Sequence, residues 1–286
     1  MDPLKTNFFL IGTPKSGTTS LYHYLEQHPE VFVPKVKEPH FFSTPEVTNT
    51  YYKTEFITKK EMYESMYKGA SNEKIIADFS SSYLYHSKAS KRIFEYNPQA
   101  KIVAVLRNPI ERALSHYLMD VSQGYISTPI DRILENSNEF EPYYQQYVSL
   151  GEYEKQLKPY LEIFPKHQVK IMLSDHFFEN PQNFLAELFT FLEVDINFKP
   201  ETKTMFNQYK EPRFKWIGKL KQSPVVQKVL LRMPSSIKKP LTNLFFDSSK
   251  EKPNFQKAQV WLANYYEESI QLTEQLIDKP LDSWKS

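Results

Sequence analysis

The stretch Phe8-Phe9-Leu10-Ile11-Gly12-Thr13-Pro14-Lys15-Ser16-Gly17-Thr18-Thr19 sets an apolar strand directly before a small-residue loop that carries a lysine. At a strand-to-helix junction such a loop turns successive backbone N–H groups and a helix N-terminus toward one point, so it predicts a cradle for a phosphate or phosphate-like anion. The nucleotide-hydrolysing version reads GxxxxGK[ST], with its lysine just after the second glycine. Here Gly12 and Gly17 keep the four-residue gap, but Thr18 stands where that lysine belongs and the cation has moved to Lys15, in the middle of the turn. The charge therefore reaches the anion from another direction. The chain has only 6 glycines, which makes the two in this loop more informative.

Working outward, four apolar runs read as strands: Phe8 to Ile11, Lys74 to Ala77, Lys101 to Leu106 and Gln168 to Leu173. Helical patterns separate them, which predicts an α/β fold with a central, mostly parallel sheet flanked by helices. A short extended run, Val31 to Val33, follows the first helix. Helix starts are marked at Asn108-Pro109, Thr128-Pro129 and Asn180-Pro181, each a cap residue before a proline, and Ser149-Leu150-Gly151-Glu152 reads as a capping box opening a helix to about Phe164. Ile110, Ala113, Leu114, Tyr117 and Leu118 form an apolar stripe at helical spacing, with Ser115 beside it. A last long helix is expected over roughly Phe255 to Leu276, and residues 233–254 read as surface connections. One domain over residues 1–286 is the expectation.

Composition narrows the chemistry. There is no cysteine, which excludes disulfides, thiolate zinc sites and cysteine nucleophiles. With 36 basic and 34 acidic side chains the net charge is +2, against a nucleic-acid binder with a broad positive face. Lys210, Arg213, Lys215, Lys219 and Lys221 make a local anion rim conceivable. The apolar run at Phe8 is too short to span a bilayer and carries no cleavage region, so a soluble cytoplasmic protein without a membrane partner is expected. The 19 tyrosines and 21 phenylalanines do not define an oligomer interface.

Two further sites fall at expected strand ends. Arg107, in Leu106-Arg107-Asn108-Pro109, sits on the edge where open α/β sheets bind ligands, and its planar fork suits a phosphate. Ser115, two turns on, adds a hydroxyl. The structural alternative pairs Arg107 with an acid such as Asp78 and makes Ser115 a small packing residue, while Arg112 reads as a packing residue or a surface pair. In Lys35-Val36-Lys37-Glu38-Pro39-His40-Phe41-Phe42, a segment able to return over the anion loop, Glu38 and His40 are both usable proton acceptors. Ser80, Ser81 and Ser82 form either an acceptor contact or a capping turn. Phe41-Phe42, Tyr51-Tyr52 and Tyr143-Tyr144 read equally as pocket lining or packing. His86, His116, His167 and His176 show no metal-ligand spacing, but Asp78 and Asp175 after strands keep a magnesium-dependent nucleotide kinase in view.

In these motifs the chain resembles the nucleotide-sulfate-dependent sulfotransferases, in particular their bacterial and heparan-type branch. The matching pieces run in order: Thr13 to Thr19, Lys37-Glu38-Pro39-His40-Phe41-Phe42, Arg107-Asn108-Pro109 with Ser115, Gly151-Glu152-Tyr153 through Phe164-Pro165, and Leu281-Asp282-Ser283-Trp284. The resemblance implies a P-loop-like sulfotransferase fold and 3'-phosphoadenylyl sulfate (PAPS) as donor, with PAP as product and no metal. It implies that Pro14, Lys15, Ser16, Gly17, Thr18 and Thr19 hold the 5'-phosphosulfate and that Lys15 is the catalytic lysine. It places the 3'-phosphate on Arg107 and Ser115, with Arg213 a weaker nucleotide contact, and matches Glu38 to a catalytic base and His40 to an active-site histidine.

The chain departs from the heparan-type pattern in having Asp78-Phe79 where an acid-lysine pair is usual, and in lacking the cysteine-bridged, glycine-rich segment. The expected acceptor is therefore a hydroxyl or amine-type nitrogen of a small polar metabolite or natural product, with a carbohydrate next. A nucleotide kinase and a non-enzymatic nucleotide-binding module are the competing classes.

Overall fold

Successive residues of the first strand, β1 (Phe8–Gly12), point alternately into two cores: Phe9 and Ile11 into one, Phe8 and Leu10 into the other. The fourth strand divides the same way, Ile102, Ala104 and Leu106 against Val103 and Val105. Such strands are buried on both faces, which is why they read as unbroken apolar runs. The structure, a computed structural model, describes residues 5–48, 50–52, 56–201, 211–212, 246–247 and 253–285.

Within these residues the order is β1, α1 (Thr18–Leu25), β2 (Val31–Phe32), α2 (Lys60–Ser65), β3 (Ile75–Phe79), α3 (Lys88–Tyr96), β4 (Lys101–Leu106), α4 (Pro109–Gln123), α5 (Ile130–Glu135), α6 (Glu141–Tyr147), α7 (Tyr153–Ile163), β5 (Val169–Leu173), α8 (Ser174–Glu179) and α9 (Pro181–Leu192). A two-residue pair, β6 (Glu211–Pro212) with β7 (Phe246–Asp247), is antiparallel, and α10 (Gln256–Ile277) closes the order. The main sheet has five parallel strands in the order β2-β3-β1-β4-β5. Helices α1, α8 and α9 contribute to the core on one face; α3, α4, α7 and α10 contribute to the core on the other.

That division positions the site. The helix after β1 leaves to one face, while the helices after both neighbours of β1, namely β3 and β4, leave to the opposite face. Diverging connections open a crevice at the carboxyl ends of these strands, where open α/β sheets take ligands.

Several expected boundaries move. The second long strand is Ile75–Phe79, so Asp78 lies inside it and not after it. The capping box at Ser149 does not form: residues Ser149–Gly151 make a 3₁₀ turn and α7 starts at Tyr153 without a side-chain cap. The reason is a close approach, since the Tyr266 hydroxyl donates to Val148 O at 2.6 Å and lies against Gly151. Pro129 is itself the residue before α5, and Thr128 supplies no cap. By contrast Asn108 and Asn180 cap as expected, Asn108 Oδ1 accepting from Ile110 N at 2.9 Å and Asn180 Oδ1 from Asn183 N at 3.1 Å. The expected surface connections over 233–254 lie mostly outside the described residues.

Candidate active site

The anion loop is held open from below. Thr13 N donates to Val105 O at 2.8 Å, tying the loop to β4, and Ser16 Oγ donates to Thr13 O at 2.6 Å. Lys15 has φ 72° and Gly17 φ 90°, left-handed values that turn consecutive N–H groups to the same side. Gly17 is required twice over, because a Cβ there would also lie 3.0 Å from the Phe177 ring. Among the described residues no protein acceptor meets the N–H groups of Ser16, Gly17, Thr18 and Thr19, so the N-terminus of α1 still carries its unsatisfied donors.

Arg107 adjoins this loop. Its Nη1 donates to Lys15 O at 3.0 Å, its guanidinium pairs with Glu111 at 2.9 Å, and the Phe178 ring lies 5.6 Å away. Its own carbonyl accepts from the Tyr153 hydroxyl at 2.7 Å. Arg107 thus does pair with an acid, but the acid is Glu111 and not Asp78, which is taken by the hydroxyls of Tyr63, Tyr83 and Ser80 at 2.9, 2.8 and 2.8 Å. Ser115 is half-buried on α4 and follows Glu111 by one turn, on the face that carries Arg107's partner. Arg213 lies outside the described residues, as do Lys210, Lys215, Lys219 and Lys221.

The Glu38–His40 segment docks on the end of β3. Glu38 N donates to Phe79 O at 3.0 Å and His40 N to Ser80 Oγ at 3.1 Å, both residues having left-handed backbones, φ 61° and 56°. Glu38 accepts from Lys37 Nζ at 2.7 Å, Ser81 N at 3.0 Å and Ser81 Oγ at 2.8 Å. Burial pushes its carboxyl up, but Lys37, His40 and the hydrogen bonds from Lys37 and Ser81 outweigh this and hold it at about 2. His40 Nε2 stands 3.8 Å from Glu38 Oε2, and His40 Nδ1 is 2.7 Å from Ser82 Oγ. Burial lowers the His40 pKa, with the Glu38 carboxylate opposing and Lys37 adding to it, so the surroundings favour the neutral ring.

Beside Lys15 the fold brings together residues that the sequence analysis did not join, and one, Asp120, that it missed. Arg112, His116 and Asp120 occupy one buried face of α4 at i, i+4 and i+8. Asp120 accepts from Tyr51, from Tyr52 at 2.9 Å and from Tyr147 at 2.7 Å; His116 Nε2 meets the Tyr52 hydroxyl at 2.7 Å. Arg112 is fully buried on the carbonyls of Gln146 and Tyr147, so it is no surface pair. The signal was available: three polar residues at four-residue spacing, one stripe of a helix. Tyr51, Tyr52 and Tyr143 therefore pack on one another and on a buried carboxylate, with ring centroids 4.4 Å apart from Tyr51 to each of the others.

Burial lowers Lys15 to about 8, helped by Arg107, Arg112 and Lys37 and opposed by Asp120. It is still mostly protonated at pH 7. Asp175, the other candidate magnesium ligand, accepts from Trp284 Nε1 at 3.0 Å. No group of three or more potential metal ligands occurs among the described residues, and no helix among them is long and apolar enough to cross a membrane.

Comparison with known proteins bears on this arrangement. A family profile described as a sulfotransferase domain matches residues 5–253. Carbohydrate sulfotransferase 15 of Mus musculus is 22% identical over 284 residues, 78% of this chain and 50% of that protein. Membrane-associated sulfotransferase kil1 of Dictyostelium discoideum is 35% identical over 111 residues, 39% of this chain and 22% of that protein. The chain thus spans about half or less of the length of these curated relatives. Among solved structures, a sulfotransferase from Alicyclobacillus acidocaldarius superposes with a TM-score of 0.73 at 26% identity, covering 99% of this chain and all (100%) of that one. Mouse sulfotransferase SULT7A1, complexed with PAP, shares the fold with a TM-score of 0.51 at 16% identity, covering 97% and 88% of the two chains.

Proposed function

The chain belongs to the sulfotransferase domain family of PAPS-dependent enzymes, and from that premise we propose that it transfers a sulfuryl group directly from PAPS to a hydroxyl or amine-type nitrogen of a small polar metabolite or natural product. The observation that supports the reading is that Arg107 reaches Lys15 O where β1 and β4 end, while Glu38 docks on the carboxyl end of the adjacent strand β3 with His40 beside it.

The residues fit the donor. Unpaired N–H groups at the start of α1, the hydroxyls of Thr18 and Thr19 and the Lys15 ammonium suit the 5'-phosphosulfate. Pro14, Ser16 and Gly17 shape the turn around it. Arg107 and Ser115 suit the 3'-phosphate, the guanidinium exchanging exposed Glu111 for the ligand. Arg213 belongs to the same reading. PAPS supplies the sulfuryl group. Lys15 stabilises negative charge on the oxygen that leaves with the nucleotide.

His40 and Glu38 act as a pair. A carboxyl held at about 2 is ionised at any working pH but binds a proton weakly, so the neutral imidazole is the stronger acceptor. His40 takes the acceptor's proton at Nε2, and the fixed anion of Glu38, 3.8 Å away, stabilises the resulting imidazolium.

A carbohydrate acceptor is the second reading. It is favoured by the match to carbohydrate sulfotransferase 15 and by a cleft of about 410 Å³ whose lining includes Glu46, Tyr85, His86, Lys88, Glu152 and Gln156. One turn of backbone separates its His86 from Ser82, His86 N donating to Ser82 O at 3.2 Å. Incubation with PAPS and a panel of metabolites and glycans, read by mass spectrometry, separates the two. Lys15→Ala and Glu38→Gln should each lower turnover by ~100-fold or more while unfolding at nearly the wild-type temperature. Undiminished turnover in Lys15→Ala would reject the assignment. Magnesium-dependent transfer from ATP would point to a kinase, and PAP binding without transfer to a binding module.

A further inference from the structure

We propose that Ser82, backed by Ser43, is a positioning residue that holds His40 as its Nδ1–H tautomer and so presents Nε2 as a bare lone pair toward the Glu38 side of the site. The inference rests on the reading of His40 as the group that takes the acceptor proton.

The argument is an inventory of hydrogens. A neutral imidazole has one N–H, and each serine hydroxyl has one O–H. Ser43 Oγ lies 3.0 Å from His40 O and 2.7 Å from Ser82 Oγ. A carbonyl oxygen only accepts, so the Ser43 hydrogen goes to His40 O. The short contact between the two serines must then use the Ser82 hydrogen, donated to Ser43 Oγ. Ser82 has none left for the ring, and the 2.7 Å contact with His40 Nδ1 is made by Nδ1–H donating to Ser82 Oγ. Three contacts are satisfied by three hydrogens.

The opposite tautomer does worse. If Ser82 donated to Nδ1, Ser43 would have to donate to Ser82 and abandon His40 O, leaving two bonds in place of three. The Nε2–H would face Glu38 Oε2 at 3.8 Å, too far for a hydrogen bond, and that oxygen already accepts from Ser81 N and Ser81 Oγ. The His40 backbone beneath the ring is pinned by His40 N on Ser80 Oγ and by Thr44 Oγ1 donating to His40 O at 3.0 Å, Ser43 is fully buried, and Ser80 is anchored in turn on Asp78.

The tautomer matters for turnover. With Nδ1–H committed to Ser82, a proton arriving at Nε2 produces an imidazolium whose two N–H groups face Ser82 and Glu38 without any rearrangement. The other tautomer would bury its lone pair among serines and offer the acceptor only a donor.

Nitrogen-15 NMR of the full chain carrying labelled histidine tests this, about one unit above the ordinary histidine pKa of about 6.5, with His40→Gln identifying the signal. Wild type is expected to show a pyridine-type Nε2 and a pyrrole-type Nδ1 for His40. Ser82→Ala should convert the ring to Nε2–H or to an exchanging mixture, Ser43→Ala should move it part of the way, and Ser82→Thr, which keeps the hydroxyl, should restore the wild-type pattern. PAP affinity should be unchanged in Ser82→Ala, which reports an intact fold and donor site. A wild-type Nε2–H signal, or an unaltered tautomer in Ser82→Ala, would overturn the proposal. Normal turnover by His40→Gln would instead remove the proton-acceptor reading and leave the tautomer assignment standing.

Discussion

Lys15 concentrates the residue-scale physics. Burial disfavours its charge, and under the proposed function a bound nucleotide's negative charge would restore it. With its pKa lowered to about 8, the ammonium is present at neutral pH and is lost as pH rises through that value, so attraction for an anionic nucleotide is lost in the same direction. PAP affinity measured by calorimetry is expected to fall above about pH 8 in wild type and to stay flat in Lys15→Arg, whose guanidinium does not titrate there. Arg107→Ala should weaken PAP binding by ~10-fold or more while changing the chemical step less, because the lost contact is a charge-assisted bond to a remote phosphate. Equal PAP affinity in Arg107→Ala and wild type would remove Arg107 from the donor site.

Local sequence rules succeed at some element boundaries and fail at others, for identifiable reasons. At α4, Asn108 at the cap and Pro109 at the first helical position act on their immediate neighbours, and both work as the sequence implies. Asn108→Ala is expected to cost about 1 kcal/mol in denaturant unfolding. It should also loosen PAP binding, since the same turn carries Glu111 and sets Arg107. At α7 the local rule loses, because the chain there must let α10 approach. A Cβ on Gly151 would stand 2.6 Å from Tyr266 Cζ. Gly151→Ala should therefore destabilise by about 1–3 kcal/mol through overpacking, and an unchanged unfolding midpoint would show that α10 is not held so closely.

On the scale of the whole molecule, the five-stranded sheet and its helices remove two carboxyls, Asp78 and Asp120, entirely from solvent. For Asp120, burial pushes the pKa up to about 6 against the lowering effect of three tyrosine hydroxyls and Lys15. The folded state thus binds this proton more tightly than the unfolded chain, whose carboxyl titrates near 4. Its contribution is full below that value and declines as pH rises toward about 6, by about 3 kcal/mol for a shift of this size. Wild type should lose stability relative to Asp120→Asn across that window in parallel thermal melts. Curves that run parallel with pH would mean that Asp120 does not titrate with folding.

The strands, the small-residue turn between β1 and α1, the placement of Arg107 at a strand end and the closeness of Glu38 to His40 were legible in the amino-acid order because each depends on neighbours within a few residues. Apolar runs bury on both faces of a parallel sheet, and a small-residue turn frees its N–H groups, whatever lies elsewhere. The Asp120 cluster, the serine chain behind His40 and the cost of a side chain at Gly151 were decided only by tertiary structure. Each joins residues tens of positions apart, as Tyr51 to Asp120, Ser82 to His40 and Tyr266 to Gly151, and a buried polar group takes whichever partner the packing delivers.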